Sequence, residues 1–253
     1  MRFLKWLPLF ILLLTSSAIV AQDAKQVTRQ ELFWLRYYAQ VQLGENWKLR
    51  TELEDRTYIN PWRQHQILFR NNLERKLGKG TKAAIGFTWF NQTLPHDPSD
   101  ENVYARIELR PQQEIAFKQK FSDRFYLSHR YWFEERFFQK LENRVPVGGY
   151  EFRVLRVRYK LQGNFDIIPA ESLKGKLTLS VHDEVMINVG NSIVQNTFDQ
   201  NRLGVALRYG LTDHFALEGS FFNWFQQRSN GIDYFNRNIG RLTLIHQMQL
   251  QKG

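Results

Sequence analysis

Leu155-Arg156-Val157-Arg158-Tyr159-Lys160-Leu161 sets an apolar residue at every odd position and a cation at every even one. On a helix, charge at every second residue would ring the whole cylinder and leave no face to bury. On a strand, successive side chains point to opposite sides, so the same letters give one greasy face and one charged face. The stretch is therefore read as a strand with two unlike environments.

The period recurs along the chain. Phe33, Leu35, Tyr37, Ala39, Val41 and Leu43 alternate with Arg36, Tyr38, Gln40 and Gln42. Ile67, Phe69 and Leu73 alternate with Gln66, Arg70, Asn72 and Glu74; Phe125, Leu127, Tyr131 and Phe133 with Tyr126, Ser128, Arg130 and Glu134. Leu203, Val205, Leu207 and Tyr209 alternate with Arg202, Gly204, Ala206 and Arg208. Eleven such segments are expected, at 31–43, 46–60, 63–77, 81–93, 102–121, 124–139, 150–162, 175–188, 200–211, 214–227 and 235–250. Tight connections at 44–46, 78–80, 122–123 and 212–213 take turns with looser ones near Pro61 and at 94–101, 141–149, 189–200 and 228–233. Pro61, Pro95, Pro98, Pro146 and Pro169 fall in connections, while Pro111 lies inside 102–121 and predicts a bulge or break there.

Strands of 12 to 16 residues exceed the ~5–6 typical of soluble sheets. Aromatics at Phe33, Trp47, Trp89, Phe125, Tyr159, Phe215 and Phe225 fit interfacial girdles. The expected fold is all-β: one antiparallel transmembrane β-barrel of about 10–12 strands, with short turns on the periplasmic side. A soluble β-sandwich or lipocalin-like barrel is the alternative. Bacterial single-chain barrels have even strand numbers. Either the stretch from Gln22 supplies another strand or one segment, 102–121 foremost, is not one.

The N-terminus reads as a cleavable signal peptide over 1–21, with Arg2 and Lys5 before the apolar run Leu7 to Val20 and small residues near Ala21. Residues 22–253 then form the barrel domain, and the cell outer membrane is the expected location. The chain has no cysteine, which closes the lipoprotein route and any disulfide. It is 43% hydrophobic, yet its mean hydropathy is −0.48, so the apolar residues are dispersed rather than gathered into a helical span. The net charge is +10, and +8 without Arg2 and Lys5. Export and the single, alternating placement of the cations argue against nucleic acid as a partner. The expected partners are outer-membrane lipid, lipopolysaccharide and, during insertion, the barrel-assembly machinery.

His129-Arg130-Tyr131-Trp132-Phe133-Glu134-Glu135-Arg136-Phe137, Arg153-Val154-Leu155-Arg156-Val157-Arg158-Tyr159 and Phe198-Asp199-Gln200-Asn201-Arg202-Leu203 come in an order that resembles the family catalogued as domain of unknown function 2490. That resemblance implies an outer-membrane barrel of the Bacteroidota type and carries no established activity. The C-terminus, Leu250-Gln251-Lys252-Gly253, lacks the terminal aromatic common in barrels.

Three constellations bear on chemistry. Ser180, His182 and Glu184 share the polar face of one strand and hold the parts of an activated nucleophile. Neighbours two apart lie ~6.5–7 Å from each other along a strand, which favours a ladder over a catalytic unit. Asp97, Asp100 and Glu101 form an acidic loop without the ligand spacing of a calcium site, and the six histidines are scattered, so no metal or other cofactor is expected. The third constellation is a polar interior of Arg130, Glu134, Arg136, Arg156, Arg158, Arg202, Arg208, Glu184 and Glu218, with Lys160 beside them. It is read as an ion-paired plug whose cation surplus draws anions. The expected function is a narrow or plugged pore, or a structural envelope protein. The alternative is a lipid- or lipopolysaccharide-modifying hydrolase.

Overall fold

A computed structural model of the chain describes residues 25–249; the proposed leader, 1–21, lies outside them. The described chain is all strand and connection. Its elements are β1 (Val27–Gln42), β2 (Trp47–Tyr58), β3 (Arg63–Gly78), β4 (Thr81–Leu94), β5 (Tyr104–Lys120), β6 (Phe125–Glu142), β7 (Val145–Ile168), β8 (Leu177–Val189), β9 (Phe198–Gly210), β10 (Phe215–Gln227) and β11 (Tyr234–Gln249). Each strand pairs antiparallel with the next, and the eleven close into one barrel.

The odd count closes through a parallel seam. β1 and β11 run in the same direction over their full length, from Val27↔Tyr234 to Gln42↔Gln249. No twelfth strand is needed and none of the eleven is surplus. Segment 102–121, the expected weak member, is β5. Pro111 makes no bulge: on the β6 side the ladder omits Arg110 and Pro111 and resumes in the same register at Gln112↔Glu134, as Leu109↔Phe137 requires. Proline has no N–H to donate, so one rung is lost while the strand stays straight enough to keep its pairing.

The barrel has an upper end, where β1 begins, and a lower end, where it finishes. Upper connections span 59–62, 95–103, 143–144, 190–197 and 228–233; lower ones span 43–46, 79–80, 121–124, 169–176 and 211–214. Two differ from expectation. The loose loop expected at 141–149 is a two-residue turn at Asn143-Arg144, both at positive φ, as a tight hairpin of twisted strands requires. Its proline and glycines, Pro146, Gly148 and Gly149, sit at the start of β7 instead, the two glycines at positive φ where the β6–β7 register shifts. Conversely, 169–176 is a lower connection of some length.

The faces are inverted relative to a soluble barrel. Leu203 is 56% exposed and Val181 54%, whereas Glu134 and Glu108 are 0% exposed. Apolar side chains point out and charged ones point in, as the alternation dictates. One glycine is required for the interior to close: a Cβ at Gly204 would lie 2.2 Å from the Cβ of Phe222, its cross-strand partner on β10. Only glycine lets that ring turn inward.

Candidate functional site

Inward charges on neighbouring strands meet across the register. Lys160, Glu184 and Arg202 are successive partners on β7, β8 and β9. Glu184 accepts from Arg130 at 2.7 Å and from Arg158 at 2.9 Å. Glu134 accepts from Arg158 at 3.0 Å and lies 3.6 Å from Arg156, whose Nε sits 3.0 Å from Asp199. Arg136 pairs with Glu108, which also takes Arg110, and Glu218 accepts from Arg208 at 2.6 Å. Arg202 reaches the Gln200 amide oxygen at 2.9 Å.

All nine residues expected in the interior network face inward. Neither Arg70 and Glu74 nor Arg130 and Glu134, mixed-sign residues four apart on one strand face, form an ion pair. Arg70 instead pairs with Glu52 on β2, and Glu74 with Arg50 and Lys82. Neighbours four apart on one strand are too distant, while cross-strand partners lie within ~5.5 Å at Cα. Sequence reading also missed Glu52, Glu54, Arg56, Glu108, Glu114 and Arg241. Their every-second spacing, at even positions on β2 and β5 and at odd positions on β11, was the available signal.

Buried ion pairs recover their desolvation cost only with good geometry and further hydrogen bonds. Stacking adds to that here: Arg56 lies 3.8 Å over Trp34, and Arg70, Arg130 and Arg158 each lie 4.6–4.7 Å from Trp132. An indole face holds a guanidinium flat and leaves its N–H edges free for oxygens.

Ser180, His182 and Glu184 are all buried in this interior but are not brought together. Ser180 donates to Asn164 at 3.0 Å, and Glu184 is committed to Arg130 and Arg158. In the acidic loop, Asp97 accepts the Ser99 amide and Asp100 the Asn102 amide. Their carboxylates cap loop backbone rather than converge. Among the described residues no three metal-binding side chains cluster.

On the side of β1, β2, β10 and β11 the upper interior carries an apolar cluster, which the sequence reading did not foresee, while Glu108, Asp199 and Gln200 keep the upper ends of β5 and β9 polar. Leu32, Trp34, Tyr58, Phe222, Trp224 and Ile239 form one buried cluster, with Trp34 edge-on to Phe222 and Trp224 at 5.1 and 5.6 Å. Arg237, fully buried, stacks on Trp224 and Phe235 and donates to Gln226 and Gln30. Two of the supposedly scattered histidines meet here, His65 and His96, ring centroids 5.3 Å apart. Burial, then Arg237 and Arg228, push the His96 imidazole down to about 3. Gln30 donates to the His96 carbonyl at 2.7 Å, fastening the 95–103 loop over the cluster.

Below this plug lies a cavity of about 210 Å³ bordered by Trp34, Trp132 and the charged ring. The chain belongs to the family of proteins of unknown function DUF2490. The family's model matches residues 31–236, from β1 to the first residues of β11. No curated protein and no solved structure matches the chain. Membership in DUF2490 therefore brings no activity with it, and function has to be argued from the barrel itself.

Proposed function

We propose that this DUF2490 member is exported under the leader 1–21 and inserts into the outer membrane as a plugged barrel. It would work there as a narrow, anion-preferring pore or as a structural envelope component. The observation that carries the reading is the inversion of faces. An outward belt including Leu53, Ile85, Val181, Leu203 and Phe221, each half or more exposed, draws on β2, β4, β8, β9 and β10, whereas soluble monomers rarely leave contiguous apolar patches of more than a few hundred Å² open. Hydrocarbon is the surroundings in which such a belt costs nothing, and a closed barrel leaves no unpaired strand edge there. On this reading the lower turns face the periplasm and the upper loops the outside.

The plug and the ion pairs support a poor conductor. Hydrolysis gains no support, because Ser180 is engaged with Asn164 and Glu184 with two arginines. Ser180→Ala and His182→Ala should leave any lipase or deacylase activity of the purified protein unchanged, and loss of such an activity in either would install the enzyme reading.

Location is tested by fractionation. The protein should sediment with outer membranes and migrate differently in SDS gels before and after boiling; recovery as a soluble periplasmic species with no heat shift would refute the proposal. A finer test is Val205→Arg, which should cost roughly 2–4 kcal/mol in lipid if Val205 lies near the midplane.

A further inference from the structure

Twelve arginines and lysines and four glutamates line the cavity beneath the plug. Five more acids, Glu74, Glu108, Glu114, Glu134 and Asp199, reach those cations from behind. Against those nine acids the twelve cations are three in excess, more once Arg136 and Lys82, which share Glu108 and Glu74, are added, and three lining residues have no carboxylate oxygen nearer than 3.7 Å. Arg202 has only the Gln200 amide oxygen. Arg241 stops 3.9 Å from Glu54 and 3.7 Å from Glu218, its Nε partnerless. Lys160 makes no ion pair or hydrogen bond with the described residues.

A guanidinium does not shed its proton in a protein, and enclosed charge has to be matched. The matching charge has to come from solution. From this we infer that the cavity is a binding chamber for a small multivalent oxyanion, phosphate-like or dicarboxylate, held by Arg202, Arg241 and Lys160. Its volume of about 210 Å³ holds roughly seven waters at ~30 Å³ each. It falls short of the ~300 Å³ where drug-sized pockets begin, so the ligand is a compact ion with a few waters.

The chamber opens downward. Above it the plug residues are buried. Below it the inward cations are partly open, with side chains of Arg208, Lys82 and Lys176 at 41%, 35% and 32% exposure, and Lys118 exposed beside Tyr126. The first three are each paired with an acid, Glu218, Glu74 and Asp166, so the basic surplus that concentrates anions at the mouth rests on Lys118 and on Lys48, which has only the Gln40 amide oxygen. The inference deepens the plugged-pore reading by making the chamber a dead end that retains its ion.

The experiment uses the full mature chain folded in detergent micelles, titrated with inorganic phosphate or succinate against sodium chloride at equal ionic strength. Thermal unfolding is followed by the tryptophan fluorescence. Phosphate or succinate should raise the transition saturably, as a ligand of the native state does, and chloride should not; which of the two saturates first separates tetrahedral from dicarboxylate ligands. Arg202→Gln and Arg241→Gln should each weaken apparent affinity at least tenfold, the effect of losing one charge-assisted hydrogen bond. Both variants leave no carboxylate newly unpaired, and heat-shifted gels verify that they fold. A response that never saturates, or is the same for all three salts, overturns the chamber, as does unchanged affinity in folded variants. The contrast between salts in the wild type decides even if a variant misfolds. Micelle binding is independent of location, so its failure leaves the envelope reading intact, and failed fractionation leaves the chamber intact.

Discussion

The two ends of the interior are built from the same alternating strands and behave as opposites. Inward positions on the upper halves carry Leu32, Trp34, Tyr58, His65, Trp224 and Arg237, all 2% exposed or less. Inward positions on the lower halves carry Tyr38, Gln40 and Lys48 on β1 and β2, and Lys118 and Arg208 on β5 and β9, partly or fully open. Strand number sets how wide the barrel is, with eight strands filled by side chains and 16–18 leaving a channel. At eleven, the occupancy of each level is left to the residues. Rings at the upper level close it, and long cations that repel one another keep the lower level open.

The comparison breaks first at Trp34. Trp34→Ala removes a buried ring packed on two others, and should cost about 3–5 kcal/mol while raising single-channel conductance in planar bilayers. Gln40→Ala, six residues lower on the same face, should cost less than about 0.5 kcal/mol and leave conductance unchanged. Equal effects in urea titrations would mean the two ends are not distinct.

Between plug and mouth lies the charge ring, where Glu134→Gln should cost about 3 kcal/mol. Removing one member of a buried network leaves charge under-compensated, here on Arg156 and Arg158, which would keep only Asp199 and Glu184. Arg208→Gln, at the open end, should cost at most about 1 kcal/mol, as exposed pairs do. A double-mutant cycle on Arg158 and Glu134 reads the coupling directly. If both sites proved equally tolerant, the ring would be as wet as the mouth.

The difference between the ends was only partly legible in the sequence. Strand placement and face followed from period two, because a one-residue slip would put Arg156 and Arg158 outside. Three features did not follow. The parallel seam joins segments some 207 positions apart, such as Leu35 and Leu242, and alternation says nothing about which edges meet. The pairing of Arg130 with Glu184 depends on cross-strand register, which turn lengths set. The plug was hidden because Leu32, Trp34 and Trp224 are residues that composition assigns to the outward face. Parity, counted from Arg36 back to Trp34 and Leu32, placed them inward all along.

The smallest expected effect is confined to the plug's lid and depends on pH. His96 sits among His65 of β3, Arg237 and Phe235 of β11 and Arg228 of the 228–233 loop, with Asp97 next to it in sequence. Its folded value is about 3 against an ordinary 6.5. Above pH 6.5 the imidazole is neutral whether the loop is closed or open, and closure is at full strength. Between pH 6.5 and 3 the open loop binds a proton that the closed loop refuses, so stability falls as pH falls. Below about 3 both forms are charged and the loss levels off. Amide hydrogen exchange, corrected for its intrinsic pH dependence, should show 95–103 opening more often at pH 4.5 than at pH 7.5, with 43–46 and 211–214 unaffected. His96→Gln keeps the carbonyl that Gln30 holds and removes the titrating ring, so the pH response should vanish from the upper loop. A response that persisted in the variant, or appeared equally in the lower turns, would place the proton elsewhere in the barrel.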